Sequence, residues 1–205
     1  MSKVVRTSSE FIKSNDFLNY LGDGFIKILA TTKIQWVRKT FNKNKKILKF
    51  SINISFKCIE DNEFLSKVSS YDGRNIIAFE VNFDGHYSNI IKNKKLKLGL
   101  DILRENNFLL FFDNFRINKR YSINLLYIFN WDLVKIDRES LFNYHLDDEV
   151  DFLIKVVSSH CSMVSLQGIE TSHQYNEFKN TVSLMQGYYF LPPIHHIDAI
   201  EKFNI

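Results

Sequence analysis

From about residue 46 onward the chain alternates between two textures, and this alternation restricts the folds open to it. Short runs of apolar, β-branched and aromatic residues occur at 47–54, 75–81, 108–113, 133–136, 163–167 and 183–188. Runs this short and this apolar suit parallel strands covered on both faces. Longer segments with helical spacing lie between them. The clearest spans 141–161, where Leu146, Val150, Leu153, Ile154, Val157 and Cys161 fall on one stripe and Asp147, Asp148 and Glu149 lie in the first half. Strand, helix, strand, helix predicts right-handed βαβ units, hence an α/β barrel or a doubly wound sheet. A helical region at about 16–41 precedes the first strand. No repeat or domain boundary interrupts the pattern, so residues 1–205 are expected to form a single domain.

Composition narrows the function classes. A chain of 205 residues with 45% hydrophobic content builds a substantial core. Only seven Gly and two Pro exclude a linker or low-complexity chain. The net charge of +4 is mild. Its basic residues gather at Arg38, Lys39, Lys43, Lys45, Lys46 and Lys49, and at Lys92, Lys94, Lys95 and Lys97. No recognition-helix, zinc or aromatic RNA-binding signature accompanies them, so they read as solvated helix ends and loops, and direct nucleic-acid binding is not expected. Cys58 and Cys161 stand far apart without metal-site spacing and read as inert thiols. With no leader pattern and no apolar run of membrane-spanning length, a cytoplasmic protein with no membrane partner is expected.

Each apolar run ends on or close to a polar residue: Asn53, Glu80, Asp113, Lys135, Gln167 and Gln186. In a parallel barrel all strand C-termini share one face, where sites are built. A strand can simply end where polarity begins. An acid pair, a lysine and three amides at successive ends is nevertheless the pattern an ancestral site would leave.

At these positions the chain resembles the EAL domain. Ser51-Ile52-Asn53-Ile54-Ser55 resembles its N-x-S strand, and Phe79-Glu80-Val81-Asn82 its E-x-T-E strand. Phe112-Asp113-Asn114-Phe115 is similar to D-D-F-G, Lys135-Ile136-Asp137 to K-I-D, and Gln167-Gly168-Ile169-Glu170-Thr171 to E-G-V-E-T. Gln186-Gly187-Tyr188-Tyr189-Phe190 with Pro192 resembles Q-G-Y-x-F…P, and Ser9-Glu10-Phe11-Ile12 resembles an early E-F-I. The order is kept throughout, with about one extra residue between Asp113 and Lys135.

The resemblance implies an eight-stranded (β/α) barrel that binds two divalent cations, magnesium or manganese, and opens one phosphodiester of cyclic di-GMP. The family's first two strands, with the E-A-L motif, would lie before Ser9. The expected fold is therefore an incomplete TIM-type (β/α) barrel of about six parallel strands, with the first two missing or reduced. A remnant at Lys3-Val4-Val5-Arg6 would put Arg6 in the place of the family's phosphate-gripping Arg and Ser2 in that of a metal-binding Glu.

Carried over position by position, Asn53, Glu80 and Asp113 match metal-binding positions and are intact. Lys135 matches the lysine that supports the nucleophilic water, and Glu170 and Gln186 match supporting positions. The losses are the E-A-L Glu, the second acid of D-D (here Asn114) and the metal-binding Glu of E-G-V-E (here Gln167). Phe83 replaces the second acid of E-x-T-E, and Arg116 the Gly of D-D-F-G. An amide has nearly the shape of a carboxylate but brings no charge and cannot act as a base. If each lost ligand costs about 10–100-fold, three losses lower activity at least roughly a thousandfold. The residues are thus expected to be vestigial, with no catalytic set and no cofactor.

That points to a non-catalytic regulator acting through protein binding. Small EAL-like adaptors that have lost the metal site are known, some of which bind the activator of flagellar genes and repress motility. The alternative is a cyclic-di-GMP receptor or residual phosphodiesterase using magnesium or manganese. A six-stranded barrel would also leave sheet edges at 47–54 and 183–188, to be covered by Val4-Val5, by the helix after Asp16, or by another chain, including a second copy. A fragment of a longer ancestor is also consistent with the missing strands.

Four other features are given ordinary roles. His195-His196 is expected in a surface turn, and His160 at a helix end. Trp36 and Trp131 are expected in the core, and Tyr188-Tyr189-Phe190 at the closure of the barrel.

Overall fold

The computed structural model describes residues 5–6, 11–12, 14–41, 49–74, 76–83, 92–137, 139–140, 147–194, 198 and 202, and the statements below concern these. Two short strands, β1 (Val5–Arg6) and β2 (Phe11–Ile12), pair antiparallel as a separate ribbon. Six strands form one parallel sheet in sequential order: β3 (Phe50–Ser55), β4 (Ile77–Asn82), β5 (Leu109–Phe115), β6 (Leu133–Ile136), β7 (Val164–Gln167) and β8 (Leu184–Gln186). The sheet does not close, and β3 and β8 are its edges. The helices are α1 (Ser14–Phe41), α2 (Phe56–Ile59), α3 (Asn62–Ser69), α4 (Lys94–Glu105), α5 (Arg120–Ile128), α6 (Asp147–Ser158) and α7 (Ser172–Phe178). No described helix is long and apolar enough to cross a membrane.

Each of the six apolar runs contains one strand of the sheet. The helical stripe expected over 141–161 is found as α6, its stretch 141–146 lying outside the described residues. The 16–41 helix extends from Ser14 to Phe41 but bends at Gly22, where φ is 71°. Glycine occupies that left-handed region without a Cβ clash.

Period-two alternation divides the strand side chains between two cores. Ile52, Ile54, Phe79, Val81, Leu110, Phe112, Val134, Ile136, Val164 and Leu166 belong to the large cluster that includes helix residues such as Leu100, Leu125 and Leu153. The opposite parity gives a small cluster of Ala78, Phe111 and Leu133, flanked by Leu109 and Met163. Glu80, Asp113, Lys135 and Gln167 share that second parity, so the polar residues stand above a thin apolar layer.

One irregularity sits at the centre of this pattern. Phe112 registers with Val134, but Phe115 registers with Ile136, so Asp113 and Asn114 together face Lys135. This is a β-bulge, and Asn114 carries it with φ 54°. Asn enters the left-handed region more readily than most residues. The extra residue restores Phe115 to the outer core, where it meets Phe112 edge to face at 5.6 Å.

Helix starts are fixed locally. Asp61 accepts from the Phe64 N–H, Asn93 from the Leu96 N–H, and Thr171 forms a capping box with Gln174. Gly99 on α4 lies so close to the α2 end that an added Cβ would stand 2.1 Å from the Ile59 carbonyl oxygen.

Three expectations are corrected. Trp36 is 37% exposed on α1 rather than a core residue, whereas Trp131 is buried and donates through Nε1–H to the Leu125 carbonyl. Tyr188, Tyr189 and Phe190 follow β8 and are exposed, because the open sheet gives them no opposing strand. Val5 and Arg6 pair with Phe11–Ile12 and not with β3, so the ribbon adds no strand to the six.

Candidate functional site

The C-terminal ends of β4 to β8 bring five of the expected residues together. Lys135 on β6 donates through Nζ to Glu80 Oε1 at 2.5 Å and to Gln186 Oε1 at 3.2 Å. Gln167 on β7 donates through Nε2 to Asp113 Oδ1 at 2.8 Å. Glu80, Asp113 and Lys135 are buried, and Gln167 and Gln186 are partly so. Strand register explains the encounters. Gln167 pairs with Gln186, and the β5 bulge aims Asp113 inward beside Lys135.

Electrostatics follow from this burial. Desolvation pushes the Asp113 carboxyl above its ordinary value, reinforced by the nearby Glu80 charge. Lys135 and the hydrogen bond from Gln167 pull the other way without offsetting it.

The remaining expected residues stand apart from this cluster. Asn53 registers with Glu80 but is exposed on the β3 edge. Asn114 is half-buried at the bulge. Glu170 is exposed, and its backbone N–H donates to Gln174 Oε1 in the cap of α7. Arg6 lies in the β1–β2 ribbon, and Ser2, His195 and His196 fall outside the described residues. Among the described residues no group of three His, Cys, Asp or Glu side chains is placed to hold a metal ion. Both cysteines are free; burial raises the Cys58 thiol, and raises Cys161 to about 11.

Sequence reasoning missed the contacts of Arg116. Its Nε lies 3.0 Å from Asp137 Oδ2 and its Nη1 2.8 Å from Glu139 Oε2. These pairs tie the segment after β5 to the segment after β6. Two acids shortly after the sixth-strand lysine were the available signal.

Known proteins agree with this architecture. An EAL domain protein from Listeria monocytogenes EGD-e superposes with a TM-score of 0.72 at 16% identity, covering 98% of this chain and 83% of that one. Vibrio cholerae LapD S helix-GGDEF-EAL, bound to c-di-GMP, gives 0.66 at 21% identity over 92% of this chain and 48% of that one. The Probable cyclic di-GMP phosphodiesterase PdeG of Escherichia coli (strain K12) is 30% identical over 108 residues, 50% of this chain. The matched part spans 21% of that relative's length. The EAL domain model matches residues 2–193, and this chain belongs to the EAL domain family.

Proposed function

We propose that this EAL domain acts in cyclic-di-GMP signalling as a non-catalytic regulator that binds another protein. One observation carries the reading: both buried carboxylates of the strand ends already have donors from the protein itself, Lys135 for Glu80 and Gln167 for Asp113. Two-metal hydrolysis needs several anionic oxygens turned toward the ions. Here two carboxylates meet one ammonium and two amides, Gln167 and Gln186, so the donor set does not fit a pair of magnesium or manganese ions. The amide of Gln167 supports the same reading, because it supplies a proton to Asp113 where a carboxylate would repel it.

A transcriptional regulator of flagellar genes, with repression of motility as the outcome, is the partner class implied by the resemblance to EAL-like adaptors. The work would take place in the cytoplasm. The competing reading, a cyclic-di-GMP receptor, is favoured by one observation: Asn53, exposed on β3, is free to meet a ligand at the open edge.

Calorimetric titration with cyclic di-GMP, with and without excess magnesium or manganese, separates the two. No heat and no linear product from a cooperatively melting protein is expected. Metal-dependent binding with product formation would overturn the proposal, and binding without product would establish the receptor.

A further inference from the structure

We infer that the open β8 edge and the aromatic residues after it form the self-association surface of a symmetric dimer, with a second copy of this chain as the occupant. The inference is independent of the protein-binding reading above. Among the described residues β8 pairs with β7 alone, so its other side presents backbone N–H and C=O groups. Natural sheet edges are normally guarded by charge or covered. The β3 edge follows that rule: α1 packs against the strand, and the exposed Lys49 and Lys57 flank it. The β8 edge does not. From Asn180 to Ile194 the chain carries no charged residue. Leu184, Tyr188, Tyr189 and Phe190 are 48%, 54%, 41% and 47% exposed. An uncharged strand edge followed by half-exposed rings has the composition of an interface centre rather than of a solvated rim.

Edge chemistry, charge and area together select a second copy. The free backbone groups of a sheet edge are matched by an extended strand. The two described strands outside the sheet, β1 and β2, pair with each other. A surface without charge meets itself without like-charge repulsion and offers nothing to an acidic or basic partner. A half-exposed ring offers on the order of 100 Å², so the three rings give about 300 Å² per copy and about 600 Å² over two. Leu184, the exposed Pro192 and Pro193, and the paired edge carry the total toward the roughly 1,200 Å² at which specific interfaces begin. Two of the rings are already held in place. Tyr189 stacks on Tyr175 of α7 at 5.3 Å, and Phe190 meets Tyr175 edge to face at 5.8 Å, so association costs them little freedom. In a two-fold pairing about Met185 the two β8 strands run antiparallel, and Leu184 of each copy faces Gln186 of the other. Gln186 accepts from Lys135 at 3.2 Å, so the second copy closes the flank of the strand-end cluster that the unclosed sheet leaves open.

The test is sedimentation velocity of the full chain from about 1 to 100 μM, where an interface of modest area is expected to dissociate. A monomer–dimer equilibrium is expected. Leu184→Lys sets a guarding charge on the edge, and Tyr188→Glu sets one in the aromatic patch. Each should weaken the dimer at least about tenfold and leave the melting profile of the dilute monomer unchanged. Phe152→Glu, at a residue 64% exposed on α6, should leave the dimer intact. The inference is overturned if both edge variants dimerise as the parent does, or if Phe152→Glu is the variant that dissociates the dimer. A parent that stays monomeric throughout overturns it as well. A lower melting temperature in Tyr188→Glu would then assign the patch to the chain's own packing, and an unchanged one would leave the edge to a strand of another protein. Detection of cyclic-di-GMP hydrolysis would sink the regulatory reading yet leave the sedimentation result to decide on the β8 edge independently.

Discussion

The Lys135 ammonium reaches the Glu80 carboxylate at 2.5 Å although their strands, β6 and β4, are separated by β5. The pair spans a whole strand because both side chains project to the concave side of a curving parallel sheet. Asp113 of β5 stands between them in chain order and bonds to Gln167 on β7 instead. Two interleaved contacts thus tie four strand ends together, and Gln186 extends the tie to the β8 edge.

Lys135→Met should cost about 3–5 kcal/mol of stability, because it leaves the buried Glu80 charge without its partner. Adding Glu80→Gln should recover much of the loss, since no buried charge is then unpaired. Urea unfolding of the two variants checks this; equal destabilisation would show that the ammonium contributes through packing alone.

Asp113 should make stability depend on pH in an unusual direction for a carboxylate. Its folded value is raised, so the native state holds the proton more tightly than the unfolded chain does. Its contribution is fully present at or below the ordinary carboxyl value of 3.8 and is lost as pH rises through the raised one. Asp113→Asn should therefore be relatively more stable at neutral pH than at pH values near the ordinary carboxyl range. Paired thermal melts across that window would show a constant difference if burial of Asp113 had no such effect.

Gln167→Glu would place a second carboxylate against Asp113 at a contact now 2.8 Å long. A loss of about 1–3 kcal/mol is expected in metal-free buffer. Adding Asn114→Asp should make the double variant respond to manganese or magnesium with a rise in melting temperature that the parent lacks. An identical metal response in parent and variant would mean that the amides are not what sets cation affinity.

Asn114→Val should cost about 1–2 kcal/mol, since a β-branched residue resists the left-handed conformation of the bulge. Asn114→Gly should be tolerated. Chemical denaturation checks both, and equal stability of the two would show that the bulge relaxes.

Gly99→Ala puts a Cβ 2.1 Å from the Ile59 carbonyl oxygen, so α4 must move off the α2 end. A loss of about 1–3 kcal/mol or more is expected, read from the denaturant midpoint.

The parallel sheet was legible in the sequence because its strands are short apolar runs, and local hydrophobic patterning alone marks such elements. Leu133–Ile136 has the bounds its apolar run predicts. The polar strand ends were legible too, since sequential order and parallel direction place every C-terminus on one side. What the sequence by itself could not decide was which polar residue meets which. That Lys135 takes Glu80 across a strand, and Gln167 takes Asp113, depends on sheet curvature and on a register shift at Asn114. A shift of one residue changes the face of everything after it, and no local pattern around Phe112-Asp113-Asn114-Phe115 records it. The fates of Trp36 and of Tyr188 to Phe190 were also tertiary matters. Apolar residues are buried only where a neighbouring element exists to cover them, and beyond β8 the open sheet leaves Tyr188 to Phe190 facing water.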